Sequence, residues 1–147
     1  MVKWMLMGGV VFAVLIAGVS NHKLKQHNQH FLDEMGPNQE AFEALFQEIE
    51  RHTPYRVLIT SGYRSHEEQV RLKRQNSKNA TPGRSPHQFR RAMDINLISV
   101  QGLIRKSDSK ARWESTGVPK LAKERGFKWG GDYKYYHDPV HFELARQ

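Results

Sequence analysis

At 147 residues with 38% hydrophobic content, the chain fits one globular domain with a single core, which argues against a multidomain protein. Cysteine is absent, so disulfides, thiolate zinc sites and a cysteine nucleophile are excluded. The formal net charge of +8 implies an anionic partner, whether nucleic acid, an anionic membrane surface or an acidic cell-wall polymer.

Behind Met1-Val2-Lys3, residues Trp4 to Ser20 form an uncharged apolar run that no other stretch matches, and it reads as a membrane-targeting segment. It is short for a spanning helix, and Gly8, Gly9, Ala13, Ala17 and Gly18 temper its hydrophobicity. Three fates fit: a signal peptide cleaved at the poor small-x-small site of Gly18 and Ser20, a permanent anchor, or a weakly held anchor that later leaves the bilayer. The glycine and alanine content favours the last. Lysines flank the run on both sides, Lys3 before and Lys23 and Lys25 after, so charge gives no clean orientation. Residues 1–21 are therefore taken as a signal anchor or signal peptide. Residues 22–37 turn polar, with His22, His27 and His30 among amides and lysines, and read as a solvated linker rather than a metal-binding tract. The folded domain is expected over 38–147.

In that domain Asn38 is placed to cap a helix whose apolar residues Phe42, Leu45, Phe46 and Ile49 fall at helical spacing, ending about His52. Tyr55 to Ser61 is a β-rich run; Gly62-Tyr63-Arg64 turns the chain, and Ser65-His66-Glu67-Glu68 is a capping-box signal for a helix that dissolves into the basic loop 73–79. Arg64, at the end of a strand, is placed to fork onto a ligand carboxylate.

From Met93 the sequence alternates, Asp94 and Asn96 on one face and Met93, Ile95 and Leu97 on the other, as in a half-buried strand. His87 lies seven residues before Asp94, across a turn, and the two read as half of a metal site. The tail from Tyr136 to Leu144 offers one more ligand and a base, with His137, Asp138, His141 and Glu143 to draw on. Two imidazoles and one carboxylate are a usual catalytic zinc set. Between these stretches Ile98 to Trp113 shows no period and is assigned to irregular structure. A helix is expected from Val118 to Arg125, with Pro119 in its first turn and Gly126 as its stop. The glycine- and aromatic-rich 126–133 suits a cleft wall. The final strand sets His141 and Glu143 on one face and Phe142 and Leu144 on the other.

Four blocks in order, Ser61-Gly62-Tyr63-Arg64-Ser65, Ser85-x-His87 to Ala92-x-Asp94, Gly126-Phe127-x-Trp129-Gly130-Gly131-Asp132 and Asp138-x-x-His141-Phe142-Glu143, resemble the zinc D-alanyl-D-alanine peptidase family. That family includes D-alanyl-D-alanine carboxypeptidases and dipeptidases and the L-alanyl-D-glutamate endopeptidases that phages use as endolysins; the aspartate-x-x-histidine form is most similar to the phage-type branch. One position departs, because the family usually has glycine where this chain has Arg90.

The resemblance implies an α+β fold, a small antiparallel sheet with packed helices and a zinc site in a groove, hedgehog and D-alanyl-D-alanine peptidase-like, here preceded by one N-terminal membrane segment. It implies Zn2+ bound by His87, Asp94 and His141, Asp138 as general base, and Arg64 and Ser85 as substrate-binding residues. Ser85 read on its own caps a turn, His137 is a neighbour, and Glu143 orients His141. The expected partner is peptidoglycan, with the membrane engaged through residues 4–20. No nucleic-acid module is recognisable, so nucleic acid is not expected as a partner, and a monomer is expected. The function implied is a zinc peptidase cutting the cell-wall stem peptide, most similar to a phage-type endolysin, exported across or anchored to the bacterial inner membrane with its catalytic domain on the wall side. The alternatives are a host D-alanyl-D-alanine carboxypeptidase and a zinc-binding module that binds wall peptides without cutting them.

Overall fold

The computed structural model describes residues 20–146. The expected membrane segment lies outside them except for Ser20, and among the described residues no helix is long and apolar enough to cross a membrane.

Residues 22–37, expected as a linker, are largely a helix, α1 (Asn21–Leu32), followed by a 3-10 turn at Gly36–Asn38. Ser20 caps it by accepting from Lys23 N–H at 3.3 Å. Only Leu24 and Leu32 of α1 are buried, so there was little hydrophobic period to read. Helix α2 (Gln39–His52) buries Phe42, Leu45, Phe46 and Ile49 as expected. Asn38 does not cap it: its side-chain amide donates instead to Arg90 O at 2.8 Å.

Strand β1 (Arg56–Ser61) leads through the turn at Gly62 into α3 (His66–Gln75), where Ser65 Oγ accepts from Glu68 N–H at 3.1 Å. A 3-10 turn (Pro86–Phe89) precedes the long strand β2 (Ala92–Ser99). The stretch expected to be irregular holds a short β3 (Gly102–Ile104) that folds back on β2, and α4 (Lys110–Ser115), capped by Ser109. Helix α5 (Val118–Glu124), β4 (Phe127–Trp129), a 3-10 turn at Gly130–Asp132 and β5 (His141–Leu144) complete the chain.

The sheet runs β1-β2-β5-β4, with every pairing antiparallel and β3 beside the far half of β2. Alternation divides its two faces. Val57, Ile59, Met93, Ile95, Leu97, Phe127, Trp129 and Phe142 join Phe42, Leu45, Ile49, Trp113, Val118 and Ala122 in one core. The opposite face carries Asp94, Asn96, His141 and Glu143, and is free for chemistry because the core needs only one side. A β-bulge lies between Ile59 and Ser61, directly opposite Asp94, and re-aims the end of β1 at that face.

The outer edge of β1 is closed by α1 rather than by another strand. Asn28 acts as a substitute peptide, donating Nδ2–H to Val57 O at 2.8 Å and accepting Ile59 N–H at 3.0 Å. His27 Nε2 meets Ile59 O at 2.8 Å. Covered in this way, the edge cannot pair with a foreign strand.

Candidate metal centre

Strand pairing brings the expected ligands together. Asp94 on β2 pairs in register with His141 on β5, while the 3-10 turn before β2 delivers His87 from the side. The three donor atoms form a triangle: His87 Nε2 lies 3.3 Å from His141 Nδ1 and 3.3 Å from Asp94 Oδ1, and His141 Nδ1 lies 3.0 Å from Asp94 Oδ1. Among the described residues this is the group of side chains able to hold a metal ion. A tetrahedral ion with ligands at about 2.0–2.1 Å places them about 3.3 Å apart, so the triangle fits zinc without rearrangement.

Neighbouring groups fix each ligand's orientation. His87 Nδ1 donates to Gly62 O at 2.8 Å, leaving Nε2 to the site, and the turn is tied again by Arg64 N–H to His87 O at 3.3 Å. His141 Nε2 meets Glu143 Oε2 at 3.1 Å, a contact that orients the His141 ring. Tyr133 donates its hydroxyl to the same carboxylate at 3.1 Å; burial first, and then the Glu143 charge, push its pKa up, so it remains a donor. Arg64 Nη2 sits 3.1 Å from Asp94 Oδ2 and also donates to Ser61 Oγ at 2.9 Å, which leaves Asp94 Oδ1 facing the histidines.

The electrostatics are those of a tightly coupled carboxylate–imidazole cluster. Burial alone would raise the Asp94 pKa, but hydrogen bonds from His141 and His87 outweigh it and hold the carboxyl far below the usual range. Burial would lower the His141 pKa, but the Asp94 and Glu143 carboxylates prevail and push it up to about 9.

Asp138, just before β5, is not in the triangle. Its side chain is only 18% exposed, with Lys106 Nζ 3.1 Å from Oδ1 in an ion pair too poorly aligned for a hydrogen bond, so this buried oxygen is an acceptor without an aligned donor. Gly130 makes room for it, since a side chain there would collide with the Asp138 carbonyl and the His141 Cβ. Ser85 is buried and opens the turn of His87 without capping it. His137 points away, meeting Asp108 O at 2.8 Å. Arg90 occupies the left-handed region at φ 54° and ψ 31°, the conformation for which glycine is the natural residue.

Two contributors escaped the sequence reading. The Gly62 carbonyl is a backbone atom with no residue-type signature. Tyr133 closes the glycine- and aromatic-rich block that reads as a cleft wall, and its position there was the available signal.

Three known proteins or families resemble this chain. Residues 78–144 match the family described as D-alanyl-D-alanine carboxypeptidase (Peptidase_M15_4). The chain is 33% identical over 102 residues to the peptidoglycan L-alanyl-D-glutamate endopeptidase CwlK of Bacillus subtilis, a match covering 60% of this chain and 60% of that protein. The chain therefore spans about three-fifths of the length of that relative. The L-Ala D-Glu endopeptidase ChiX of Serratia marcescens superposes with a TM-score of 0.61 at 22% identity, over 81% of this chain and 86% of that one, and shows the same fold. The resemblance to the D-alanyl-D-alanine peptidase family is shown by these matches, and with it the α+β fold.

Proposed function

We propose that this chain, which resembles the D-alanyl-D-alanine peptidase family over residues 78–144, is a zinc-dependent peptidoglycan peptidase that cuts the L-alanyl-D-glutamate bond of the stem peptide. The observation that carries the proposal is the triangle of His87 Nε2, Asp94 Oδ1 and His141 Nδ1, with edges of 3.0–3.3 Å, in which Asp94 also lines a groove and His141 follows the part-buried Asp138 by three residues. The choice of bond is supported by CwlK and ChiX, both named as endopeptidases of that specificity.

Zinc held by the triangle would polarise the scissile carbonyl and acidify an attacking water. The chain's own groups do the rest. Asp138 Oδ1, which faces Lys106 but accepts no hydrogen bond, takes the proton of the water and returns it to the leaving amine nitrogen. Glu143 and the Gly62 carbonyl hold the imidazole rings still, and Arg64 keeps Asp94 turned with one oxygen towards the histidines. Ser85, buried two residues before His87 and bound to no cap, keeps its hydroxyl for the substrate.

In the same proposal the apolar run 4–20 exports the domain to the wall side of the inner membrane, as in a phage-type endolysin whose weak anchor leaves the bilayer and so times lysis. The net charge of +8 suits adhesion to an acidic wall. A second reading, a D-alanyl-D-alanine carboxypeptidase, is favoured by the description of the matching family.

Digestion of purified peptidoglycan, with mass analysis of the fragments and zinc content measured alongside, tests the proposal. New amino-terminal D-glutamate is expected; release of free D-alanine favours the second reading, and zinc-loaded protein that binds the wall without cutting it refutes both. Asp138→Asn should keep its zinc and lose at least roughly a hundredfold in rate, whereas Asp94→Asn should lose metal and activity together. Near-normal hydrolysis by zinc-loaded Asp138→Asn removes Asp138 from the mechanism.

A further inference from the structure

A groove of about 520 Å³ runs beside the metal triangle, lined by Thr60, Asp94, Asn96 and Val140 and closed on one side by Arg105 and Lys106. Both cations stand on the loop between β3 and α4, a stretch without sequence period, and that loop is held firmly. Arg105 N–H donates to Asp108 Oδ2 at 2.8 Å, Arg105 O accepts from the indole of fully buried Trp113 at 3.0 Å, and Asp108 O meets His137 Nε2 at 2.8 Å. The backbone of the pair is thus pinned on both sides while neither side chain is needed to pin it. Preorganisation of this kind lowers the cost of using a charge for binding.

The acids near the groove are committed. Asp94 is spent on Arg64 and the two histidines, and Asp138 faces Lys106. Arg64, the cation expected to hold a substrate carboxylate, is itself engaged by Asp94 and Ser61. Arg105, together with Lys106 once it turns from Asp138, is therefore the cationic pair placed to receive an anion at this wall.

We infer that Arg105 and Lys106 form a carboxylate-binding subsite that recognises a free carboxylate on the carbon bearing the scissile nitrogen. The inference rests on the peptidase reading above. An L-alanyl-D-glutamyl bond has such a carboxylate where the stem continues through the glutamate γ-carboxyl, and so does a terminal D-alanyl-D-alanine bond. In either substrate the group lies one carbon from the scissile nitrogen, so its receptor has to stand beside the metal triangle, where this wall is. An incoming carboxylate also draws Lys106 Nζ away from Asp138, from 3.1 Å in the free protein, and leaves Asp138 Oδ1 to the water proton. A substrate whose carboxylate is amidated forfeits both effects.

The test uses the zinc-loaded full chain and two pairs of synthetic peptides: L-Ala-D-Glu extended through its γ-carboxyl with the α-carboxylate free or amidated, and D-Ala-D-Ala with its terminus free or amidated. The pair that is cut identifies the source of the carboxylate. The free acid should be cut with a KM roughly tenfold below that of its amide, the scale of one charge-assisted hydrogen bond. Arg105→Gln and Lys106→Gln should each raise KM for the acid towards that of the amide and leave KM for the amide in place, and Lys106→Arg should restore the preference. Arg105→Gln leaves the Lys106–Asp138 pair intact, so its effect separates substrate recognition from any change at the base. Equal KM for acid and amide in the unaltered enzyme overturns the subsite while the peptidase reading stands, as does an equal loss on acid and amide in both variants. Failure of the unaltered enzyme to cut any of the four peptides overturns the reading itself and the subsite with it.

Discussion

In the zinc site proposed above, His141 Nδ1 would carry either a proton or the metal. Its ring lies between Asp94 and Glu143, which push its pKa up to about 9 against burial that alone would lower it. Zinc would need the neutral ring, so binding would expel that proton, and below about pH 9 proton and metal would compete. The sign follows directly: apparent zinc affinity should rise about tenfold per pH unit between roughly pH 6.5 and the His141 pKa, then level off. Competition with a chromophoric chelator across that range measures it, and an affinity flat below pH 8 would mean that the ring is neutral before metal arrives. At this scale the sequence was informative wherever chemistry rides on residue type within a strand. Alternation alone put Asp94 opposite Met93 and Ile95, and His141 opposite Phe142. It could not show which nitrogen of the His87 ring faces the site, because that choice is made by the Gly62 carbonyl, which is remote from His87 in sequence and carries no side-chain label. Nor could it show Arg64 turned onto Asp94, a contact that needs the β1 bulge to exist first.

At the scale of elements, the turn that delivers His87 depends on an arginine in a glycine's conformation. A non-glycine residue in the left-handed region costs about 1–2 kcal/mol. Arg90 offsets this with contacts that glycine lacks: its guanidinium stacks 4.0 Å from the Tyr63 ring centre and its Nε donates to Glu34 O at 2.9 Å. Its carbonyl, which any residue would supply, accepts from Asn38. The turn of His87, the loop after β1 and the end of α1 are clamped together through one residue. Arg90→Ala keeps the strain and loses the clamp, whereas Arg90→Gly loses the clamp and the strain together. The alanine variant should therefore be less stable than the glycine variant by about 1–2 kcal/mol, with zinc retained in both. Denaturant unfolding of the zinc-loaded proteins measures the difference, and equal midpoints would show that the backbone is not strained. Elements were legible where periodicity was long, as in α2 and β2. They were hidden where burial is slight, as in α1 with its two buried leucines, or where length is three residues, as in β3.

At the scale of the molecule, one side of the sheet is spent on the core and the other on the site, so the fold has to protect its edge in some further way. The edge of β1 is covered by α1 through Asn28 and His27, polar residues that read as linker because they touch backbone rather than core. This makes the polar segment after residue 20 part of the fold, joined directly to the apolar run that we propose as the export segment. Two truncations separate these roles. Removal of residues 1–20 should leave a folded, zinc-binding domain, since what it deletes of the described chain is the Ser20 cap, worth about 1 kcal/mol. Removal of residues 1–32 takes away buried Leu24 and Leu32 and opens three hydrogen bonds at the sheet edge. It should cost about 3 kcal/mol or more and leave a strand edge that recruits other chains. Thermal unfolding beside size-exclusion chromatography compares the two proteins. A lower melting temperature and soluble aggregates are expected for the second only. Matching melting curves and a single matching elution peak would return residues 22–37 to the status of a spacer, and would leave the edge of β1 closed by something other than Asn28 and His27.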